Sequence, residues 1–200
     1  MNRRYLMRKL VYYVGASIDG YIAGPGGEID FYPVADDMMQ WINARYPETV
    51  PGHIRELVGL PVDTPNQRWD TLVMGRGTYD PALDIDIASP YPHMKQYVVS
   101  TTLERIGDPE IELVRTDPVE LVRRLKREDG PEGKDIWLAG GGKLAGALID
   151  EIDEMIVKSY PVSAGAGVPI ISGAFRPTLF TPVRRKEFGN GAQVTWFERG

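Results

Sequence analysis

The order of elements predicts an α/β protein: a mostly parallel central sheet with flanking helices on both faces, closed by an antiparallel C-terminal hairpin. Three observations carry this. Apolar, β-branched runs alternate with helical patterns, glycine-rich turns recur where strand runs end, and the last two strand-like runs are joined only by "GNG" (189–191). At 200 residues, 42% of them hydrophobic, the chain has the size of one domain with a proper core.

The first run, "RKLVYYVGAS" (8–17), alternates too weakly to be half-exposed and reads as a strand buried on both faces. Residues 1–7 are expected to form a disordered extension, leaving a single domain over 8–200. The glycine-rich "IDGYIAGPGGEIDFYP" (18–33) then reads as a long mobile loop, placed where binding loops occur. In "ADDMMQWINARY" (35–46), Met38, Trp41 and Ile42 stand at i, i+3, i+4 behind an acidic first turn, the pattern of an amphipathic helix. Residues 47–68 are proline-rich and irregular, with room for one helical turn at 52–58; a connector of that length is expected to reshape the substrate pocket.

Next come a strand "DTLVMG" (70–75), a brief helix "RGTYDPAL" (76–83), and strands "QYVVSTT" (96–102) and "IELVR" (111–115). "TDPVELVRRLKRED" (116–129) carries the fullest set of helix signals: Asp117 as N-cap, Pro118 at the first helical position and Glu120 at the capping-box place. A strand "KDIWLAG", a helix "GKLAGALIDE" (142–151) and a strand "EMIVKSYPV" follow, then the hairpin "TPVRRKEFG" and "AQVTWFER". The apolar "VTWF" is expected at an open sheet edge that needs cover, which predicts a homodimer.

Composition narrows the function classes. A net charge of −5 and a pI near 5.2 give no general field for nucleic acid or an anionic membrane surface, so an anionic ligand must be gripped locally. The absence of cysteine excludes disulfides, thiolate metal ligands and a cysteine nucleophile, and suits a reducing cytosol. His53 and His93 lie in proline-containing, loop-like surroundings and not at metal-ligand spacing, so no metal is expected. The basic start lacks the apolar length of a signal peptide or spanning helix; the expected location is cytoplasmic.

In "IWLAGGGKLAGALID" (136–150) a strand hands over to a helix through three glycines. Gly140, Gly142 and Gly146 come close to a dinucleotide fingerprint, but they lie late in the domain without an acidic residue about twenty positions on. Leu144 after Lys143 excludes a P-loop, which needs Ser or Thr there to hold magnesium. Tight strand–helix packing is the alternative reading of the same glycines. "LVMGRGTYD" offers backbone amides at Gly75, a guanidinium at Arg76 and a hydroxyl cap at Thr78, while Ser100, Thr101 and Thr102 end another strand. Together these suit a dinucleotide spread over several strand ends.

In this order, "VGASIDGYIAG", "VMGRGTY", "YVVSTT", "WLAGGGKLAGALI" and "DEMIVKSYPVSAGAGVPI" resemble the dihydrofolate reductase-like family. Within it, the likeness is nearest the C-terminal reductase domain of the bifunctional riboflavin-biosynthesis deaminase-reductase, and it spans about residues 8–198. The resemblance implies NADPH as hydride donor. It places Gly75, Arg76, Gly77 and Thr78 on the adenosine side and pyrophosphate, Ser100 and Thr101 near the 2′-phosphate and ribose, and Gly140, Gly141, Gly142, Lys143 and Leu144 at the pyrophosphate and nicotinamide ribose. The strand end Val14 to Ser17, including Ala16 and Ser17, with the loop residues Asp19, Gly20 and Ile22, would flank the nicotinamide.

The family's first-helix acid corresponds to Asp36 or Asp37, with Asp37 preferred because Trp41 then falls one turn on as an aromatic wall; complementing the positive helix end is the alternative role for both acids. Asp37 and Asp19 are the candidate catalytic residues, with water as a third proton source. Gly77 departs from the basic residue many dihydrofolate reductases carry there, which bears on NADPH over NADH. The implied activity is NADPH-dependent reduction of a nitrogen heterocycle or its ribosylamino phosphate, similar to the 5-amino-6-(5-phosphoribosylamino)uracil reductase of riboflavin biosynthesis. No deaminase zinc motif is present. A non-catalytic nucleotide sensor of the same fold, a true dihydrofolate reductase and a flavodoxin-like binder are the alternatives; against the second, the W-x-L-P-x-D run before the first helix is missing.

Overall fold

The computed structural model describes residues 7–200; the expected extension, apart from the exposed Met7, lies outside the described residues. In chain order the strands are β1 (Leu10–Ser17), β2 (Tyr21–Ala23), β3 (Trp69–Gly75), β4 (Lys95–Val99), β5 (Ile111–Val114), β6 (Asp135–Gly140), β7 (Glu154–Tyr160), β8 (Val168–Pro169), β9 (Phe180–Glu187) and β10 (Gln193–Arg199). Eight of them form one sheet in the order β5-β4-β3-β6-β1-β7-β10-β9, and β2 pairs with β8 as a small separate ribbon. All neighbours up to β7 are parallel; β10 and β9 run antiparallel, so the expected architecture is the observed one.

The strand β1 lies between β6 and β7 and is almost wholly buried, as its unbroken apolar run requires. Arg8 precedes it: its guanidinium bonds the Asp70 carboxylate and the Thr71 hydroxyl, fastening the lower end of β1 to β3. Of the helices, α1 (Asp36–Arg45) and α2 (Arg76–Leu83) cover one face through Met38, Ile42 and Tyr79; α3 (Pro118–Arg127) and α4 (Gly142–Ala147) cover the other through Leu121, Val122, Leu125, Leu144 and Ala145.

Local signals explain most boundaries. Asp117 accepts a hydrogen bond from the Glu120 amide at 3.0 Å, the N-cap read from sequence. The reciprocal half of the box is replaced: the Glu120 carboxylate pairs with Arg127 instead. Helix α4 is shorter than the 142–151 pattern, ending at Ala147. The 18–33 loop is not wholly irregular either, since β2 folds back onto β8.

Two expectations are corrected. The apolar β10 is not an edge: it is hydrogen-bonded on both sides, to β7 and β9, and the open edge is the charged β9. Its apolarity reflects an interior position that only the pairing order reveals. The 47–68 segment does not reach the glycine turns. It folds into three 3-10 turns packed at the N-terminal ends of the strands, where buried Glu48 accepts from the Arg68 and Trp69 amides. Buried Arg55 donates to the Pro47, Val50 and Val62 carbonyls, and His93 is hydrogen-bonded to the Glu48 carbonyl at 2.8 Å. Burial pushes the His93 pKa down, the behaviour of a packing histidine, whereas His53 is exposed. A cavity of about 420 Å³ lined by Arg45, Gln67, Arg68 and Lys134 opens at this end, away from the glycine turns.

Candidate active site

The carboxyl ends of β3, β6 and β1 meet where the chain, having built β3, β4 and β5, returns to insert β6 between β3 and β1. There the glycine run divides into two roles. Gly142 and Gly146 are packing glycines: an added Cβ would lie 2.0 Å from the Pro169 and Ser172 carbonyl oxygens, respectively. Gly140 adopts φ +127°, open to glycine, and is joined to Gly141 by a cis peptide. Gly141 has extended backbone, and an added Cβ there would find only Ile22 Cδ1, at 4.0 Å.

Around that bare backbone several expected residues converge. Thr78 Oγ1 would stand 3.5 Å from a Cβ on Gly140, and a Cβ on Gly75 would meet the Gly141 amide nitrogen at 3.6 Å and Leu144 Cβ at 3.9 Å. Ile22 closes the top. The structure thus brings together Ile22, Gly75, Thr78, Gly140, Gly141 and Leu144. Gly77 has nothing within 4 Å of an added Cβ, so its main chain too is open to a ligand. With six residues, α4 has little macrodipole; its use would lie in first-turn amides that lack intrahelical acceptors.

Arg76 lies at the exposed rim, 3.2 Å from Asp80 and 2.7 Å from Thr102 Oγ1. Thr101 and Lys143 are exposed. Ser100 and Ser17 are differently employed from the expectation. Ser100 Oγ caps its own turn, accepting from the Thr102 and Leu103 amides, and Ser17 Oγ donates to Asp19 at 2.6 Å while accepting from the Tyr21 amide. Both side chains are buried, as is Ala16, so the lip of β1 offers a ligand main chain only.

The two candidate acids are both engaged. Asp19 accepts from Ser17 and Ser163 hydroxyls and from the Ala164 and Gly165 amides, tying the loop after β1 to the loop after β7. These bonds, led by Ser17, hold its carboxyl well below the usual carboxylate range, the electrostatics of an anchor and not of a proton donor at neutral pH. Asp37 accepts from the Gly189 amide at 3.0 Å and the Met38 amide at 2.8 Å, pinning α1 to the β9–β10 turn. Trp41 packs edge-on against Phe188 and Trp196.

One residue was missed. Lys158 on β7 is the register partner of Gly15, and its ammonium sits 4.3 Å from the Tyr13 ring centroid. The signal was a single cation inside the apolar run "EMIVKSY". Among the described residues no cluster of His, Asp or Glu is placed to hold a metal ion, and no helix is long and apolar enough to cross a membrane.

This fold is that of dihydrofolate reductase. The Enterococcus faecalis enzyme, complexed with NADP(H) and RAB-propyl, is similar with a TM-score of 0.64 at 12% identity, covering 96% of each chain. A candidate riboflavin biosynthesis protein from Shewanella sp. PV-4 gives 0.66 at 24% identity over 96% of this chain and 99% of that one. The Thermotoga maritima diaminohydroxyphosphoribosylaminopyrimidine deaminase/5-amino-6-(5-phosphoribosylamino)uracil reductase gives 0.60 at 15%, with 97% of this chain matching 57% of that one. More particularly, the chain belongs to the RibD C-terminal domain family, which matches residues 8–194. Two uncharacterized proteins of Bacillus subtilis (strain 168) are similar along their lengths. YwjB is 28% identical over 94% of this chain and 96% of its own, and YyaP is 26% identical over the whole of both.

Proposed function

We propose that this chain is a cytoplasmic NADPH-dependent reductase of a nitrogen heterocycle or its ribosylamino phosphate, working as a homodimer. The observation that carries the reading is the open backbone at Gly141 and Gly77 beside Gly75 and Thr78, at the switch point of a dihydrofolate reductase-like sheet. A cradle that a Cβ would fill, with an arginine and hydroxyls at its rim, fits a dinucleotide pyrophosphate.

When bound, the reduced nicotinamide supplies the hydride. The chain's own part is positioning. The Gly77, Thr78 and Gly141 main chain would admit phosphate oxygens closely, Arg76 and Thr102 would hold them at the rim, the Ala16–Ser17 main chain would border the reacting ring, and Ile22 would exclude water. Asp19 and Asp37 are bound up in loop and helix anchoring, so a proton from water fits better than either carboxylate. The Asp37 geometry also argues against true dihydrofolate reductase.

Fluorescence titration with NADPH and NADH, then a substrate screen under the tighter cofactor, tests the reading. Saturable NADPH binding and turnover are expected. Binding without turnover across the panel would turn the assignment to a non-catalytic sensor, and no binding of either cofactor would end it.

A further inference from the structure

We propose that Lys158 is the substrate-holding cation of this pocket, the counter-charge for an anionic oxygen carried by a planar ring. The proposal rests on the reductase reading for the identity of the pocket, not for its chemistry.

Lys158 stands two residues before the end of β7, on the sheet face covered by α1. Its stem lies across β1 at the one place where β1 has no side chain: a Cβ on Gly15 would be 3.7 Å from Lys158 Cε and 3.1 Å from Tyr160 Cε2. Beside it runs an aromatic wall, Phe31 on Tyr32 and Tyr32 on Tyr160, with centroids 4.4 and 4.5 Å apart. Tyr32 is fixed by donating to the Gly15 and Tyr21 carbonyls. A flat ring entering at the end of β1 would find an aromatic side and an ammonium below it.

That ammonium has no hydrogen-bond or ion-pair partner among the described residues, only the face of Tyr13. Lys158 is half-buried, so its donors are left to solvent and stand available to an anion that enters beside the aromatic wall. Burial alone pushes its pKa down to about 8.

The charged neighbours do not neutralise it. From α1, Asp37 is turned to the Gly189 and Met38 amides. From β9, Lys186 and Arg184 share the face by register, Lys186 opposite Val194 and Lys158 opposite Val194, Arg184 opposite Trp196 and Ile156 opposite Trp196. Both lie over aromatic rings, Lys186 by Trp41 and Phe188, Arg184 by Trp196, and neither has a carboxylate within ion-pair distance among the described residues. On β7 itself Glu154 stands at the far end, paired with Arg68 and Lys9. From β1, the N-terminal loop and β7, the Tyr13, Tyr32 and Tyr160 hydroxyls are all pushed up by burial and stay neutral. The face thus carries Lys158, Lys186 and Arg184 with no carboxylate paired to any of them among the described residues.

The test uses benzoate as a planar anion and benzamide as its neutral counterpart, titrated by tryptophan fluorescence. Benzoate should bind saturably, with benzamide about tenfold weaker or worse, the range expected of a charge-assisted hydrogen bond. Benzoate affinity should fall as pH rises through about 8, where the ammonium loses its proton. Lys158→Met should reduce benzoate to the benzamide level, Lys158→Arg should largely retain it, and NADPH affinity should be the same in all three proteins. Equal benzoate affinity in wild type and Lys158→Met, benzamide as tight as benzoate, or no saturable benzoate binding overturns the proposal. If benzoate behaves as expected while NADPH never binds, the anion pocket stands and the reductase reading falls.

Discussion

Among single residues, the glycine run shows most sharply how identical side chains take opposite roles. Gly141 and Gly142 are adjacent, yet a Cβ is free at the first and meets a carbonyl oxygen at 2.0 Å at the second. Gly141→Val should therefore leave the thermal midpoint nearly unchanged while abolishing measurable NADPH binding; Gly142→Ala should destabilise by about 1 to 3 kcal/mol, the range of overpacking. Thermal melts paired with cofactor titrations of the two variants check this, and an unchanged titration for Gly141→Val would return it to a packing role. Arg76 is a second case. It is already paired with Asp80 and is 46% exposed, so the phosphate contact proposed for it would be screened and partly pre-occupied. Arg76→Ala should weaken NADPH binding by about 1.5 kcal/mol, the low end for hydrogen bonds to charge, with folding unaffected, whereas Asp80→Asn should tighten it. Isothermal titration of both variants gives the comparison. The division at Gly141 and Gly142 was not legible from "GGGK", because it depends on where residues 169–172 pass.

Helix α3 was legible in sequence down to its cap because its signals are local: the Asp117 carboxylate reaches an amide three residues on. Asp117→Ala should lower stability by about 1 kcal/mol, readable by urea denaturation. The loops after β1 and β7 are a different case, since Asp19 ties them across 144 to 146 positions of sequence. The folded value of Asp19 is depressed, so this tie is fully present above the ordinary carboxylate range of about 3.9 and is lost only as pH falls through the depressed value. Pepsin at about pH 4, near that ordinary value, should thus spare residues 163–167 in the wild type and cut them faster in Asp19→Asn. Equal cleavage in the two proteins would show the tie to be idle. Sequence singled out Asp19 through the family motif, but its four partners lie on β1 and on a loop the chain reaches much later.

For the whole molecule, pairing order decided what composition could not. Apolar "VTWF" reads the same at an edge or inside a sheet, and the structure puts it inside, behind a charged β9 whose Arg184, Arg185 and Lys186 discourage strand addition. The homodimer proposal now leans on Phe175, Leu179 and Val183, exposed at 97%, 77% and 52% in β9 and the segment leading into it. Gel filtration should give a dimer for the wild type and a monomer for Leu179→Asp; a wild-type monomer would remove dimerisation from the account. Sequence by itself determined the α/β class, the strand and helix succession, the α3 cap and the clustering of glycines at strand ends, because hydrophobic period, caps and turn chemistry act within a few residues. Only the tertiary structure decided which glycines are open and which are packed, that Asp19 and Asp37 serve as anchors, that residues 47–68 close the opposite end, and that Lys158 lies unpaired across Gly15. Those facts are contacts between segments far apart in the chain, and no periodicity within a segment encodes them.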